Sequence, residues 1–552
     1  MGMNAWQDYP VPALRHEAPH ADRLVRCFAQ RPRSVHALLQ QALAQRPEHE
    51  ALVCAGQRWN YAQLDSEARR IAAGLHARAV KPGDRVALFI GNRPEFVFVL
   101  FALARLGAIA VPIGVREARA GLSFMLNQCG ARAIVFDADL AGRVPDSNEV
   151  PSLALRVVVG VGVGVGVGVG VDATSGAEPL ADLALQPGAD DRAAVAPVQE
   201  TDTAVILYTS GTTGHPKGAM LTHFNIAHSV LHYQACMRLH AGDRSALAVP
   251  ASHVTGLIAI ILAMVQVGGT VVIVPAFKAP DFIRLLAAEH VTHTLMVPAM
   301  YTLCLMASEF ARLDLRHWRI GGYGGAPMPV ATIDALARQV PGLVLLNAYG
   351  ATETTSPATL MPAGLTRDHA DSVGVALPCA EIRVMDDAGR EVPPGEHGEL
   401  WIGGPMVVPG YWDNPQATRS SFSAGYWHSG DLGSVNAQGF VRIFDRKKDM
   451  LNRGGFKVYS VEVENALMAL PGVVEAAVIG RPCPVLGERV HAVIHAPGAA
   501  HDNATVQRHC AALLADYKVP ETIAWSDTPL PRNANGKLMK RALREGLLGA
   551  GA

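Results

Sequence analysis

The chain has 552 residues, of which 49% are hydrophobic and 18% charged, so it is too long for one compact core and too apolar to be disordered throughout. Its 48 lysines and arginines almost balance its 49 aspartates and glutamates, which gives a formal net charge of -1. This balance excludes bulk electrostatic attraction to nucleic acid or to an anionic membrane.

The eight cysteines are scattered and include no Cys-x-x-Cys pair. Such a distribution argues against a disulfide framework or a zinc site and favours a reducing compartment. The first eight residues contain no basic stretch followed by an apolar core. We therefore predict that there is no secretory signal and that the protein is cytoplasmic.

The first hundred residues predict helices that alternate with strands. Ser34 precedes apolar residues at 3.6-residue spacing, which predicts a helix capped by its hydroxyl. Further helices are predicted at 64–76 and 94–106, and strands at 51–54, 86–90 and 108–112. This alternation predicts a parallel sheet covered by helices on both faces.

Residues 157–171 form a Val-Gly repeat. Glycine at every second position removes the side chains from one face of a strand, which leaves little to pack. We interpret the repeat as a flexible surface excursion between sheet elements, and an elastic or self-associating segment is the alternative.

The run Tyr208-Thr-Ser-Gly-Thr-Thr-Gly-His-Pro-Lys-Gly218 follows a strand-like segment at 204–207 and consists almost wholly of hydroxyls, glycines and one lysine. Gly211 and Gly214 allow tight turns that bring N–H groups close to a ligand, and Lys217 adds a positive charge. These are the properties of a loop that wraps polyphosphate. The spacing differs from a Walker A loop, because two residues separate Gly214 from Lys217 and a glycine follows the lysine. A plain turn is the alternative.

Residues 245–277 contain no Lys, Arg, Asp or Glu, and the stretch is long enough to span a bilayer. Gly268 and Gly269 divide it, and His253 and Gln266 interrupt its apolar character. We therefore predict a buried helix at 257–267 followed by a buried strand at 271–274, and no membrane span.

The run Asn347-Ala-Tyr-Gly-Ala-Thr-Glu353 also carries groups that suit a nucleotide. Tyr349 offers a flat face on which adenine can stack, and Thr352 can hydrogen-bond a phosphate. Glu353 is a hard oxygen ligand of the kind that Mg²⁺ prefers. A solvent-facing Thr-Glu pair at the start of a helix is the alternative.

Two further polar groups follow towards the C-terminus. Asp431 offers two acceptors to a vicinal diol such as ribose, and Arg446 can contact ribose or phosphate. Arg446 belongs to a polar run at 445–449, which we predict as the boundary between domains 1–445 and 446–552. Beyond it, Ser460 is predicted to cap a helix, and 473–479 to form a strand.

These motifs, in this order from about Arg58 to Lys537, resemble the signature of the adenylate-forming superfamily. That superfamily comprises acyl- and aryl-CoA synthetases, luciferases and the adenylation domains of peptide synthetases. The resemblance implies an α/β fold: a large N-terminal domain of Rossmann-like parallel sheets covered by helices with a small barrel-like part, and a small, mobile α+β C-terminal domain.

The resemblance also implies a role for each matching residue. The residues implied to bind the nucleotide are Thr209, Ser210, Gly211, Thr212, Thr213, Gly214, Lys217, Gly325, Ala326, Pro327, Tyr349, Gly350, Asp431 and Arg446. The residues implied to act in catalysis are Lys537, Thr352, Glu353 and His253, with Glu353 as the Mg²⁺ ligand and His253 as the gate between ATP and the carboxylate. Lys448 falls on the hinge position, and Gly455 lies in the turn that faces the active site when the thioester is made.

The sequence therefore predicts an AMP-forming acyl-CoA synthetase that uses ATP, Mg²⁺ and CoA to activate a small-molecule carboxylic acid, and a fatty acid is favoured. The apolar and aromatic residues predicted around the acyl group suit a fatty acid or an aromatic acid. These residues are 253–257, Met300, Tyr301, Tyr323 and Gly324. The alternatives are an aryl-acid CoA ligase, a ligase that transfers the acyl group to a carrier-protein thiol, and a silent nucleotide-binding protein. No feature favours a light-emitting oxygenase, no nucleic-acid partner is predicted, and a homodimer is left open.

Overall fold

The computed structural model describes residues 5–20, 23–160, 176–183, 195–209, 216–498, 501–532 and 538–549. The chain divides into two compact units. The first unit comprises Met1–Ile382, Ile402–His428 and Gln438–Val441, and the second comprises Arg383–Trp401, Ser429–Ala437 and Arg442–Ala552. The predicted boundary at 445/446 stays a prediction.

The first unit contains a seven-stranded sheet that is parallel except at one edge, where two strands form an antiparallel hairpin. In order across the sheet, the strands are Lys217–Thr222, Thr203–Thr209, Ile109–Pro112, Arg85–Phe89, Ala133–Asp137, Leu155–Val159 and Glu178–Pro179. The hairpin at the edge holds both ends of the predicted phosphate loop.

A second, nine-stranded sheet is parallel at its centre and antiparallel at both edges. In order, its strands are Val375–Ala376, Thr359–Leu360, Val344–Tyr349, Ile320–Tyr323, His293–Met296, Arg244–Leu247, Thr270–Ile273, Glu50–Cys54 and Gln57–Asn60. Because the carboxyl ends of parallel strands meet at one edge, the segments that follow the central strands begin side by side.

Helices cover these sheets. Pro94–Leu106 is apolar on every side and is buried along its whole length apart from Glu95, as expected of a helix in the centre of a large core. The other α-helices of this unit are Val35–Gln45, Tyr61–Ala77, Arg119–Cys129, Leu180–Leu183, His223–Cys236, Ala263–Val267, Ala279–Ala288, Pro298–Met306, Val330–Gln339 and Pro415–Ser421. The 3-10 helices are Ala138–Arg143, Phe310–Arg312 and Thr352–Thr354, and Thr255–Leu262 is a π-helix.

Two smaller sheets contain the remaining strands up to Arg446. Leu14–His20 and Arg23–Phe28 form an antiparallel hairpin. A five-stranded sheet consists of Glu381–Met385, Gly398–Gly403, Phe422–Ser423, Tyr426–Val435 and Val441–Arg446.

The C-terminal part of the second unit has its own sheet and its own core. The strands are Leu451–Arg453, Phe456–Val458, Glu475–Cys483, Gly487–His495 and Thr522–Trp525. The helices are Ser460–Met468, Asn503–Leu513, Lys540–Gly549 and the 3-10 helix Asp516–Lys518. Val478, Val490 and Leu467 are among the fully buried residues of this core, so this α+β part buries an apolar centre of its own.

Several predicted elements are confirmed. The Ser34 hydroxyl accepts the N–H of Ala37 and caps the first helix, and the predicted helices and strands up to residue 112 lie within two or three residues of their observed ends. The apolar stretch 245–277 is divided into helix and strand as predicted. None of the helices in the described part of the chain combines the length and the hydropathy that crossing a bilayer requires.

Two predictions are wrong. The Val-Gly repeat does not begin as a surface excursion: Val157, Val158 and Val159 belong to a parallel strand and are at most 2% exposed. Backbone pairing and burial on both faces hold this strand, and alternation alone could not show that. The remainder of the repeat, from 161, lies outside the described residues. Ser460 does not cap its helix, because Tyr459 is the capping residue and the Ser460 N–H donates to Asp445.

Candidate functional site

The edge hairpin of the seven-stranded sheet positions the two ends of the predicted phosphate loop. Thr209 ends one strand, Lys217 begins the next, and the two residues are directly paired. Gly218 is required here, because a Cβ at this position would lie 2.7 Å from Ile206 Cγ2. Ser210, Gly211, Thr212, Thr213 and Gly214 lie outside the described residues, so their contacts with phosphate stay predictions.

Glu353 lies on a 3-10 turn that follows a strand of the nine-stranded sheet. The turn is held by Thr354, whose hydroxyl accepts the N–H of Ala351 at 2.9 Å. The Glu353 residue is only 8% exposed, and its Oε1 lies 3.4 Å from the hydroxyl of Thr209. The structure thus brings the predicted Mg²⁺ ligand next to the predicted phosphate loop, although the two are 144 residues apart.

Tyr411 is a residue that the sequence did not single out. Its hydroxyl donates to Glu353 Oε1 at 2.9 Å. Its ring lies under the ammonium of Lys217, with 5.1 Å from Nζ to the ring centroid. Burial, followed by the neighbouring Glu353 charge, raises the pKa of Tyr411 well above its ordinary value, so the phenol stays protonated and can donate. Tyr411 therefore holds the carboxylate and the lysine in one arrangement.

Backbone contacts of its neighbours in the chain position Tyr411. Gly410 adopts φ +157, the Trp412 N–H donates to the carbonyl of Gly218 at 2.7 Å, and Ala219 forms a bridge with Tyr411. A Gly-Tyr-Trp run is compatible with many loops, so the sequence contains no signal that pairs it with residue 218 or 353.

This group can hold Mg²⁺ together with a polyphosphate. Among the described residues, no three His, Cys, Asp or Glu side chains cluster as a protein-only metal site. A single buried carboxylate is nevertheless what Mg²⁺ requires when phosphate oxygens and water supply its other ligands. Glu353 fits this role, with Lys217 and the Thr209 hydroxyl as further partners of the phosphates.

The predicted adenine-binding segments begin at adjacent points on the edge of the nine-stranded sheet. Ile320–Tyr323 and Val344–Tyr349 are parallel neighbours. A Cβ on Gly324 would lie 2.3 Å from the carbonyl oxygen of Ala348, so only glycine allows the two segments to approach so closely. Gly325, Ala326 and Pro327 are exposed, while Tyr349 and Gly350 are half-buried beside them. A flat base can therefore lie across this edge.

The predicted acyl-binding residues include the start of an apolar helix. His253 is half-buried, and its N–H donates to the carbonyl of Pro250 at 3.1 Å. The π-helix Thr255–Leu262 follows, and Leu257–Leu262 is fully buried. Tyr301 and Tyr323 belong to a separate hydrophobic cluster, at 0% and 1% exposure. The Tyr301 hydroxyl donates to the carbonyl of Gly322 at 2.7 Å, which gives this side chain a structural role.

In the second unit, Asp431 and Arg446 form an ion pair, with Nε 3.1 Å from Oδ1. The Asp431 N–H donates to the Ser429 hydroxyl at 3.0 Å, and the Lys447 N–H donates to the carbonyl of Gly430 at 2.8 Å. The predicted ribose acceptor and the predicted ribose or phosphate donor are thus neighbours, and the guanidinium can orient the carboxylate towards a diol.

The predicted hinge residue Lys448 is exposed, and the preceding Lys447 is paired with two carboxylates. Lys447 Nζ lies 2.9 Å from Asp387 and 3.3 Å from Glu399. Gly455 lies in a tight hairpin turn with Gly454, where both residues have positive φ and the Gly455 N–H donates to Asn452 Oδ1 at 3.0 Å. Lys537 lies outside the described residues.

Comparison with known proteins defines the class of this chain. The model of the AMP-binding enzyme family matches residues 39–412, and the model of its C-terminal domain matches residues 462–537. The protein is therefore an adenylate-forming α/β enzyme, and the predicted fold with parallel sheets and a separate C-terminal domain is confirmed.

Two curated relatives and one solved structure illustrate what the chain is similar to. The chain is 33% identical to a feruloyl-CoA synthase from an Amycolatopsis species over 90% of this chain and 96% of that protein. It is also 33% identical to a long-chain-fatty-acid–CoA ligase from Mycobacterium tuberculosis, over 88% and 93% of the two chains. An O-succinylbenzoate–CoA synthetase from Bacillus subtilis, solved with ATP and a magnesium ion, aligns with a TM-score of 0.79, at 27% identity over 94% and 99% of the two chains.

The chain belongs to the AMP-binding enzyme family, and its activity is that of an AMP-forming acid–CoA ligase. ATP and CoA are the substrates of such ligases, together with a small-molecule acid.

Proposed function

We propose that this ligase activates a fatty acid in two half-reactions. The carboxylate first attacks the α-phosphorus of ATP, which gives acyl-AMP and releases pyrophosphate. The thiol of CoA then attacks the acyl carbon, which gives the thioester and releases AMP. The observation that carries the proposal is the buried Glu353 carboxylate, held by Tyr411 beside Thr209 and Lys217.

The physical requirement of the first step is to offset charge repulsion, because an anionic carboxylate must approach an anionic nucleotide. Lys217 and the hydroxyls of its loop would neutralise phosphate charge, and Lys537 would stabilise the charge that develops in the transition state. Mg²⁺ bound by Glu353 and by phosphate oxygens would supply further positive charge at the same point. Tyr411 fixes the direction of the carboxylate before substrate arrives, which reduces reorganisation during the reaction.

The remaining predicted site residues receive roles in the same proposal. Asp431 would accept the ribose hydroxyls, with Arg446 orienting its carboxylate. Thr352 would hydrogen-bond the α-phosphate, and His253 would separate the nucleotide from the acyl group. Lys448 would be the hinge about which the C-terminal part turns between half-reactions, with Gly455 near the thioester-forming site.

The substrate assignment rests on the wholly apolar segment Leu257–Leu262 beside His253. An aromatic acid is the second candidate, and it is favoured by the similarity to a feruloyl-CoA synthase. The protein's environment is proposed to be the cytoplasm, because all eight cysteines are free and buried. Nucleic acid is not part of the proposal, in view of the net charge of -1.

The direct test measures AMP release with a panel of fatty and hydroxycinnamic acids, each with and without CoA. We expect acid-dependent AMP release with CoA and the highest kcat/KM with fatty acids. A preference for hydroxycinnamic acids would overturn the fatty-acid assignment alone. Acyl-AMP that forms but never reaches free CoA would favour transfer to a carrier protein, and no ATP consumption with any acid would refute the proposal. Light scattering distinguishes a monomer from a homodimer in the same preparation.

A further inference from the structure

The helix Lys540–Gly549 begins three residues after Lys537. Its first residue makes polar contacts with the helix Ser460–Met468. Lys540 Nζ lies 2.6 Å from Glu464 Oε1 and donates to the Ser460 hydroxyl at 2.5 Å. The side chains of Lys540 and Glu464 are 11% and 16% exposed. The first turn of this helix is therefore fixed to the helix Ser460–Met468 by a largely buried ion pair.

The same cluster extends to the segment that carries Arg446. Asp445 is buried, and its carboxylate accepts the N–H of Ser460 and, at 2.7 Å, the N–H of Arg446. Burial raises the pKa of the Asp445 carboxyl, and the charge of Lys540 opposes this effect. Asp445, Ser460 and Lys540 thus connect the backbone of Arg446 to the start of the C-terminal helix.

The two ends of the segment that contains Lys537 are also held. Arg532 and Leu538 form a β-bridge, and the Met539 N–H donates to the carbonyl of Pro531 at 2.8 Å. On the other side, Glu475 accepts the N–H of Leu530 at 2.6 Å. The chain therefore enters and leaves this segment at fixed points, and Lys540 is the charged anchor on the outgoing side.

A second attachment lies one turn further along the helix. Arg544 Nη2 lies 3.3 Å from Asp449 Oδ1 and 3.5 Å from the carbonyl oxygen of Lys448. Residues four apart share one face of a helix, so Lys540, which binds Glu464 and Ser460, and Arg544, which binds the 448–449 segment, lie on the same side of this helix. Arg541 points elsewhere, since it is 69% exposed and pairs with Glu545 of its own helix.

We infer that Lys540 is a positioning residue for the catalytic lysine, and that it acts by fixing the chain after Lys537 to Glu464, Ser460 and, through Ser460, Asp445. The inference depends on the proposed function, because it assumes that Lys537 stabilises the transition state of acyl-AMP formation. Lys540 touches no reacting atom in this scheme. Its effect is geometric, and a displacement of about 1 Å in a catalytic group can cost roughly 100-fold in rate.

The test compares Lys540→Met with the matched control Arg541→Met, which removes a cation of the same helix without touching the cluster. Both half-reactions are measured: pyrophosphate release from ATP and acid, and thioester formation from synthetic acyl-AMP and CoA. For Lys540→Met we expect a loss of about 10- to 100-fold in kcat for the first and less than about threefold for the second. Arg541→Met should match the wild type in both, and Lys540→Arg should restore the first.

A double-mutant cycle separates positioning from general destabilisation. In a Lys537→Ala background, Lys540→Met should cause no further loss of pyrophosphate release, because its effect passes through Lys537. Additive losses, or equal losses in both half-reactions, would overturn the inference. If Lys540→Met does not fold, the double variant Lys540→Met, Glu464→Gln removes the same tether together with the charge of the carboxylate that Lys540 pairs with, and it is held to the same outcomes. A wild-type enzyme without acid-dependent pyrophosphate release would refute the proposed function instead.

Discussion

Tyr411→Phe removes the hydroxyl that donates to Glu353 and leaves the rest of the side chain in place. The hydroxyl donates to Glu353 Oε1 at 2.9 Å, and the carboxylate otherwise has the Thr209 hydroxyl at 3.4 Å. A phenylalanine ring still packs under Lys217 and against the edge of Phe422, whose ring centroid lies 5.7 Å away. The variant thus isolates the contribution of the hydroxyl to the orientation of Glu353.

The expected effect follows from the type of hydrogen bond. Loss of a donor to a charged, buried acceptor costs about 1.5–3 kcal/mol. This hydrogen bond holds Glu353 in the geometry that Mg²⁺ requires. If its whole energy is lost from the stabilisation of the transition state, the rate of acyl-AMP formation falls by about 10- to 150-fold. Thioester formation from supplied acyl-AMP should change by less than about threefold, because it needs no triphosphate.

The assay is acid-dependent pyrophosphate release at increasing Mg²⁺, with thermal unfolding as the control for stability. Tyr411→Leu serves as the comparison, because it removes both the hydroxyl and the ring beneath Lys217 and should lose more activity than Tyr411→Phe. Wild-type rates and wild-type Mg²⁺ dependence for Tyr411→Phe would refute the reasoning, and Tyr411 would then be a packing residue alone.

Three further predictions address other parts of the chain. Lys537→Ala should lower pyrophosphate release about 100- to 1,000-fold while thioester formation from acyl-AMP survives, which single-turnover assays of both half-reactions would show. Gly324→Ala should raise the KM for ATP and lower the unfolding temperature, because its Cβ would lie 2.3 Å from the Ala348 carbonyl oxygen. His223 and His228 should make the enzyme acid-sensitive, since burial lowers the pKa of each from 6.5 to about 4. The unfolded chain then binds protons that the folded chain does not, so stability is complete above pH 6.5 and falls by about 2 kcal/mol per histidine at pH 5. A wild-type unfolding temperature that does not fall between pH 7.5 and 5 would contradict this.

Local chemistry explains why groups of the candidate site could be proposed from the sequence. The phosphate hairpin, the Tyr349–Glu353 turn and Asp431 each contain their functional groups within a few consecutive residues, so the order of these residues could be matched to the signature of a known family. The parallel sheets follow from the alternation of helix and strand patterns. In each case the residues concerned are close together in the sequence, or they recur with a regular period.

The rest depends on contacts between distant parts of the chain. Tyr411 reaches Glu353 across 58 residues, and Lys540 reaches Ser460 across 80. Neither residue belongs to a recognisable pattern, since a loop tyrosine and a helical lysine occur in most proteins. The error at Ser460 has the same origin: the residue has the right type for a helix cap, but Asp445, fifteen positions earlier, takes its N–H. The strand at 157–159 was missed because only its partner strands could show that it is buried.

The activity of the enzyme depends on local motifs and on contacts between distant parts of the chain. In the proposed mechanism, the recognisable motifs determine which groups meet the nucleotide, whereas Tyr411 and Lys540 determine where those groups are held. A relative could keep every motif residue and still lose most of its adenylation rate if either holding contact were removed, because catalysis by charge requires that the charges be fixed before the reaction begins. In the proposed mechanism, the presence of Lys217, Glu353 and Lys537 is therefore a necessary condition for activity. The same mechanism predicts that their supporting contacts set the rate of adenylation.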